Sequence, residues 1–320
     1  MSSEKAPETL LEAVRYFGNP DNAMVFMVSM RWPNGIICPH CDGLEHSFLQ
    51  TRRIWKCKNK TCRKQFSVKL GTIFEDSPIG LDKWLPCLWM LANCKNGISS
   101  YEVARALGVT QKTAWFMLHR VRLAMQTETF GKMKGTVEAD ETFIGGKLSN
   151  MHKGRRALGG HSTYLGKVAV QGLLERHGHD KVSSVRARVV PNSGATHIQG
   201  GVRENVKRGA RLYTDAAAAY KGLDAEYIHE VIDHSETYVR GKVHTNGMEN
   251  FWSLLKRGLK GTYVSVEPFH LFRYIDEQVR RFNDRHMDDL GRFLEVVRGV
   301  VGRRLTYDSL TGPCLWRAEA

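Results

Sequence analysis

The chain has 320 residues, with 47 Lys+Arg against 33 Asp+Glu and a formal net charge of +14. That length predicts two or three domains with ample chain to bury a core. The charge points to a polyanionic partner, nucleic acid first. The longest apolar run, Trp84 to Cys94, falls far short of the ~20 residues that a membrane span requires. The N-terminal MSSEKAPETL lacks the apolar stretch and cleavage site of a signal peptide. The expectation is therefore a cytoplasmic, nucleoid-associated protein with no membrane partner. Seven cysteines are an odd count for a disulfide framework, so their spacing is read first as metal chemistry.

In chain order, Leu10, Leu11, Val14 and Phe17, then Met24, Phe26, Met27 and Met30, predict two short amphipathic helices on either side of Pro20-Asp21. Cys38-Pro39-His40-Cys41 and Cys57-x4-Cys62 follow as two knuckles, able to turn four thiolates toward one tetrahedral ion. A closed set of four leaves no open position, which predicts one structural Zn²⁺ rather than a catalytic one. Strand-like runs at Arg53–Lys56 and Gln65–Val68 complete a small stapled unit. Arg52, Arg53, Lys56, Lys58, Lys60, Arg63 and Lys64 around it suit phosphate contacts. Cys87 and Cys94 lie on an apolar helix pattern and read as core, while Cys314 has no evident partner.

Ser99 to Trp115 has the grammar of a DNA-reading helix pair. Ser99 or Ser100 can cap the first helix, with Glu102 placed for a capping box from Ser99, Gly108 supplies the turn, and Thr110 caps a second helix. The early polar residues of that helix, Gln111, Lys112 and Thr113, are placed to enter a major groove, with Ala114, Trp115 and Leu118 packing inward.

Beyond residue 135, strand runs alternate with helix patterns. Gly135–Lys147 reads as a strand carrying Asp140 into a glycine-marked turn, and Arg211–Asp215 as a second strand with an acid at its end, after which Ala216–Tyr220 resume as helix. Thr245–Arg257 is a helical pattern bearing Glu249. Two strand acids and a helix acid can converge on one point. Such a cluster repels itself at pH 7 unless cations occupy it, and two Mg²⁺ (or Mn²⁺) ions can activate water and stabilise the leaving oxygen in phosphodiester cleavage. Glu141 alternates to the opposite face of the strand from Asp140, whereas Glu138 stays a candidate neighbour of the site. Lys256, two helical turns after Glu249, shares its face. Lys147, Lys153, Arg155, Arg156 and Lys167, among glycines, read as a flexible basic loop able to order on DNA. Lys256, Arg257, Lys260, Arg273, Arg280 and Arg281 continue the positive character past the acids.

The ribbon, the helix pair, VEADETFIGG, LYTDAAAAY, HTNGMENFWSLLKRGLKGTY and FHLFRYIDEQVRRFN, in that order, resemble bacterial insertion-sequence transposases of the branch related to Merlin transposons. The resemblance runs from about residue 20 to 286. It implies a multidomain α+β and α/β architecture in which a zinc ribbon and a helix-turn-helix precede an RNase H-like mixed-sheet catalytic domain with an Asp-Asp-Glu metal site. Asp140, Asp215 and Glu249 match its acids, and Lys256 matches the lysine that accompanies the third. Some members carry Asn in place of that third acid, and Asn246 lies in the same motif. Glu249 is preferred because a neutral oxygen binds Mg²⁺ more weakly. The expected segments are 1–35 helical, 36–69 ribbon, 70–130 helix-turn-helix, 131–286 catalytic and 287–320 a helical tail. The implied partners are element-end and target duplexes, bound by a homodimer or higher oligomer, with Gln111, Lys112, Thr113, Arg155, Arg156 and Arg257 on DNA. A silent DNA-binding regulator and a junction or repair nuclease are the alternatives.

Overall fold

In the computed structural model the described residues are 6–127, 131–146, 166–177, 182–215, 217–232 and 244–312. They form two compact units. One takes in the chain up to Gln126 and again from Met287, and the other runs from Thr127 to His286. No helix among the described residues is long and apolar enough to cross a membrane.

The first unit opens with α1 (Leu10–Phe17), closed at its start by a Thr9/Glu12 capping box, and α2 (Pro20–Arg31), capped by Asn19. Pro20 is the first residue of α2 rather than a breaker between helices, since its missing N–H costs nothing there. A three-stranded antiparallel ribbon follows, made of β1 (His46–Leu49), β2 (Ile54–Cys57) and β3 (Gln65–Phe66). Then come α3 (Leu81–Asn93), α4 (Ser100–Leu107) and α5 (Gln111–Met125). The ribbon does not stand alone. Phe48, Trp55 and Phe66 lie side by side across its strands, Trp32 packs edge-on against the latter two, and Trp55, Phe66 and Val68 join one core with α1 to α5.

The second unit is built on a five-stranded sheet of order β6-β5-β4-β7-β8. Its strands are β4 (Thr136–Gly145), β5 (Lys167–Arg176), β6 (Ser184–Val190), β7 (Arg211–Asp215) and β8 (Ile228–Ile232). The first three pair antiparallel, while β7 and β8 run parallel to β4. One face carries Val137, Ala139, Leu173 and Leu212 under α6 (Ala195–Asn205). The other carries Val170 and Leu174 under α7 (Asn246–Gly258) and α8 (Leu271–Asn283). After β7 the chain makes only a 3-10 turn at Ala218–Tyr220 where the sequence predicts helix, residue 216 lying outside the described residues.

The C-terminal segment returns to the first unit instead of trailing. In α9 (Asp289–Arg298), Phe293 is fully buried among Phe17, Phe26 and Trp89, and Arg292 reaches the Asn93 side chain at the end of α3. The short α10 (Tyr307–Thr311) follows. Phe293→Ala is expected to cost the first unit about 3–5 kcal/mol by leaving a cavity. A urea titration followed by tryptophan fluorescence checks this, because Trp32, Trp55, Trp84, Trp89 and Trp115 all belong to that unit.

Candidate active site and metal centre

The four cysteines meet. Cys38 and Cys62 sulfurs are 3.8 Å apart, Cys41 and Cys57 sulfurs 3.6 Å, and all four lie within 4.8 Å of one another. A tetrahedral ion with bonds of 2.3 Å requires sulfurs about 3.8 Å apart. Each knuckle turns on a left-handed residue directly after its second cysteine, Asp42 and Arg63. Backbone N–H groups two residues on, at Gly43, Asn59 and Lys64, point back at the sulfurs of Cys41, Cys57 and Cys62; they hold the Cys62 thiol below its ordinary range, while burial and the neighbouring cysteines keep Cys41 and Cys57 raised. This donor set suits a structural Zn²⁺. Because the ribbon shares the helical core, Cys57→Ser or a strong chelator is expected to lower the melting temperature of the whole first unit, not of residues 36–69 alone. A second, unshifted transition for the other unit in calorimetry is the check.

The helix pair has the expected local architecture. Ser99 and Glu102 cap each other, Gly108 is left-handed at φ 60°, and Thr110 caps α5. Its polar residues each have a partner within the unit, although Lys112 is exposed. Gln111 Nε2 donates to Ser100 Oγ at 2.8 Å, the Lys112 ammonium lies 4.9 Å from the Tyr307 ring centroid, and the Thr113 hydroxyl pairs with that of Thr110. Farther along α5, His119, Arg120 and Arg122 are buried, so only its first turns reach the surface. Trp115, expected inside, is half-buried against His119.

In the second unit, strand register brings the two aspartates together. Glu138 pairs with Tyr213 across the parallel β4–β7 ladder. Two residues farther along each strand, Asp140 and Asp215 stand on neighbouring strands and on one face. Asp140 faces Gly172 on β5, and the indole of Trp252 donates to its Oδ2 at 2.9 Å while the Glu141 N–H donates to Oδ1 at 2.8 Å. Burial first, and the charges of Asp215 and Glu249 after it, push Asp140 up to about 6 in spite of those two donors. Glu249 is exposed on α7 yet close enough for its charge to be felt. The three acids are spread more widely than the cysteines, whose 4.8 Å spacing they do not meet. Glu141, on the other face with Tyr220 against it, is pushed up to about 7 by burial and then by Asp215 and Asp140.

Glu138 does more than neighbour the site. Its carboxylate, 1% exposed, accepts the Met248 N–H at the start of α7 at 2.9 Å and is ion-paired to Arg176. Arg176 in turn donates to the His244 carbonyl and lies over the Tyr213 ring. This buried pair fastens the helix of Glu249 to the strand of Asp140. Gly247 admits it, since a Cβ there would stand 2.8 Å from Glu138 Oε2. Lys256 is half-buried one turn past Trp252, and Arg257, Lys260 and Asn246 are exposed. Of the other expected cations, Arg273 is buried, Arg280 pairs with Asp284 and Arg281 with Glu277. The basic face past the acids therefore narrows to Lys256, Arg257 and Lys260. Lys147, Lys153, Arg155 and Arg156 lie outside the described residues, as does Cys314.

The raised Asp140 makes a signed prediction. Between pH 4 and pH 6 the folded chain keeps a proton that the unfolded chain releases, so stability falls as pH rises through that window. Glu141 extends the loss toward pH 7. Without added Mg²⁺, Asp140→Asn should be the more stable protein above pH 6, by up to roughly 3 kcal/mol at 1.36 kcal/mol per pKa unit, with the gap closing below pH 4. Urea titrations across pH check it.

Residues 132–283 match the family of ISXO2-like transposase domains, and residues 18–65 match transposase zinc-ribbon domains. The chain is also 26% identical over 266 residues to a Halobacterium salinarum protein described as an uncharacterized protein in transposable element ISH50, covering 77% of this chain and 85% of the relative. A ribbon whose four sulfurs are poised for one ion, ahead of a domain whose sheet gathers two aspartates, agrees with these likenesses, which together support an insertion-sequence transposase.

Proposed function

We propose that the protein binds the ends of an insertion sequence, cleaves the DNA there and joins the liberated 3′-OH to a target duplex. The observation that carries this reading is the electrostatic convergence of Asp140, Asp215 and Glu249, an oxygen-only donor set of the kind Mg²⁺ takes. The strand order, three antiparallel strands followed by two parallel to the first, supports an RNase H-like catalytic domain. Two Mg²⁺ ions, when bound, would activate the attacking oxygen and stabilise the leaving one. Asp140, Asp215 and Glu249 are the residues that would hold these ions, with Asp140 close enough to both other acids to feel their charge. Lys256, on the Glu249 side of α7, holds a DNA phosphate near the acids, and Arg257 extends that contact.

The ribbon and the helix-turn-helix recognise the element ends. For the second, Lys112 is exposed at the start of α5, and Gln111 would exchange its bond to Ser100 for DNA, a local rearrangement on binding. Both units act on double-stranded DNA, with a homodimer or higher oligomer bringing two ends together, in the cytoplasm on the nucleoid.

Asp140→Asn, Asp215→Asn and Glu249→Gln are each expected to reduce Mg²⁺-dependent cleavage and strand transfer by orders of magnitude while leaving end binding in gel shifts intact. Asn246→Ala should stay within a few-fold of wild type. Activity of Glu249→Gln together with a dead Asn246→Ala would move the third ligand to Asn246. Activity in all the acid variants would overturn the metal-dependent reading.

A further inference from the structure

We infer that Trp252 is a positioning residue for Asp140, and that Gly172 is the notch which lets it be one. The inference rests on the reading of Asp140 as a metal ligand, and adds a residue whose side chain has no ligand chemistry of its own. A tryptophan on the buried face of an amphipathic helix ordinarily serves as core, and Trp252 does pack there, 4% exposed, beside Phe251. It differs from Phe251 in its one polar atom, which is directed at the candidate metal site. Nε1 donates to Asp140 Oδ2 at 2.9 Å, from a residue 112 positions away in the chain.

The ring reaches that position only because β5 has no side chain opposite Asp140. A Cβ on Gly172 would lie 2.6 Å from Trp252 Cζ2, 2.7 Å from Cη2 and 2.2 Å from Met248 Cε. Gly172 is a central-strand residue whose backbone is ordinary, so the demand for glycine there comes from the indole and not from a turn.

The Asp140 carboxylate is thus gripped at both oxygens, Oδ1 by the Glu141 N–H and Oδ2 by the indole. The first donor comes from its own strand and survives any side-chain change. The second is supplied by the helix that also carries Glu249, so one indole fixes the torsion of the strand acid relative to the helix acid. Without it, repulsion from Asp215 and Glu249 is opposed on that side by nothing specific, and the carboxylate is at liberty to turn. Losing such an outer partner of a metal ligand costs about 10–100-fold in metal affinity or activity.

The test uses the full-length, zinc-loaded protein and measures Mn²⁺ binding by the free-ion electron paramagnetic resonance signal, alongside end cleavage as a function of Mg²⁺ concentration. Trp252→Phe keeps an aromatic ring over Gly172 and deletes the donor, and Trp252→His returns a ring N–H. Gly172→Ala keeps the donor and displaces the ring. Trp252→Phe and Gly172→Ala should each weaken Mn²⁺ binding at least about 10-fold and shift the Mg²⁺ requirement upward by a similar factor, with end binding unchanged. Trp252→His should recover part of both. If Trp252→Phe proves unfolded by circular dichroism, Gly172→Ala decides. Wild-type Mn²⁺ affinity and Mg²⁺ dependence in the folded variants, with Asp140→Asn defective in both, would overturn the positioning role and leave Asp140 as a ligand. Undiminished Mn²⁺ binding and cleavage in Asp140→Asn would instead overturn the reading on which the role rests.

Discussion

Repulsion among carboxylates in a partly dry wall governs the second unit. Asp140 is raised by its own burial and by Asp215 and Glu249, and Glu141 by burial and by Asp215 and Asp140. Burying a charge without a partner costs several kcal/mol, so the surrounding chain has to hold these acids against their tendency to move apart or take up protons. The response is visible in the elements next to them. A buried ion pair, Glu138 with Arg176, fastens strand to helix. Two glycines remove side-chain volume where the fastening needs close approach. A strand that served only the core would place an apolar residue at 138.

The first unit meets the opposite difficulty. Its ribbon of ten strand residues is too small to bury a core of its own, and its outer face is basic, with Lys56 and Gln65 paired across strands and Arg52 donating to Gln65. Two devices compensate. The four sulfurs tie the knuckles together, and Trp55 and Phe66 are turned onto Trp32 and the helical core, with the exposed Phe48 against Trp55. The returning Phe293 adds a C-terminal closure to that core, so chain order and structural order differ in this unit.

Local features were legible in the sequence because local physics fixes them. The cysteine spacing, the Ser99/Glu102 capping box, the left-handed Gly108, the Thr110 cap and the strand ending in Asp215 all depend on residues a few positions apart, and each occurs where predicted. What was not legible depends on partners far along the chain. Glu138 reads as a flanking acid until the N-terminus of α7 arrives 110 residues later. Gly172 reads as an unremarkable strand glycine until Trp252 lies on it. The positive stretch after Glu249 overstates the cationic face, because α8 is amphipathic and spends Arg273, Arg280 and Arg281 on its buried side and on Asp284 and Glu277. Periodicity applied to α8 would have found that. No pattern foretells that Gln111 would bond to Ser100 or Lys112 lie over Tyr307.

Helix and strand geometry also bear on the choice between Glu249 and Asn246. Met248 meets Glu138 and Trp252 meets Asp140, so four helical residues, about 6 Å of rise, run alongside two strand residues, about 6.6 Å. The helix α7 therefore travels with β4 in the same direction and nearly in step. Glu249 falls inside the interval between these two contacts, about 1.5 Å past the first and about 4.5 Å before the level of Asp140. Asn246 falls about 3 Å before the first contact, on the far side of Glu138. The longer acid at 249 starts between the two contacts and its charge is felt at Asp140, whereas the shorter amide at 246 starts beyond the Glu138–Arg176 pair. That spacing supports Glu249 as the third ligand. It also gives the Glu138 clamp a functional reason, because a slip of α7 by one residue along the strand would move Glu249 by about 1.5 Å, a displacement that a metal site cannot absorb.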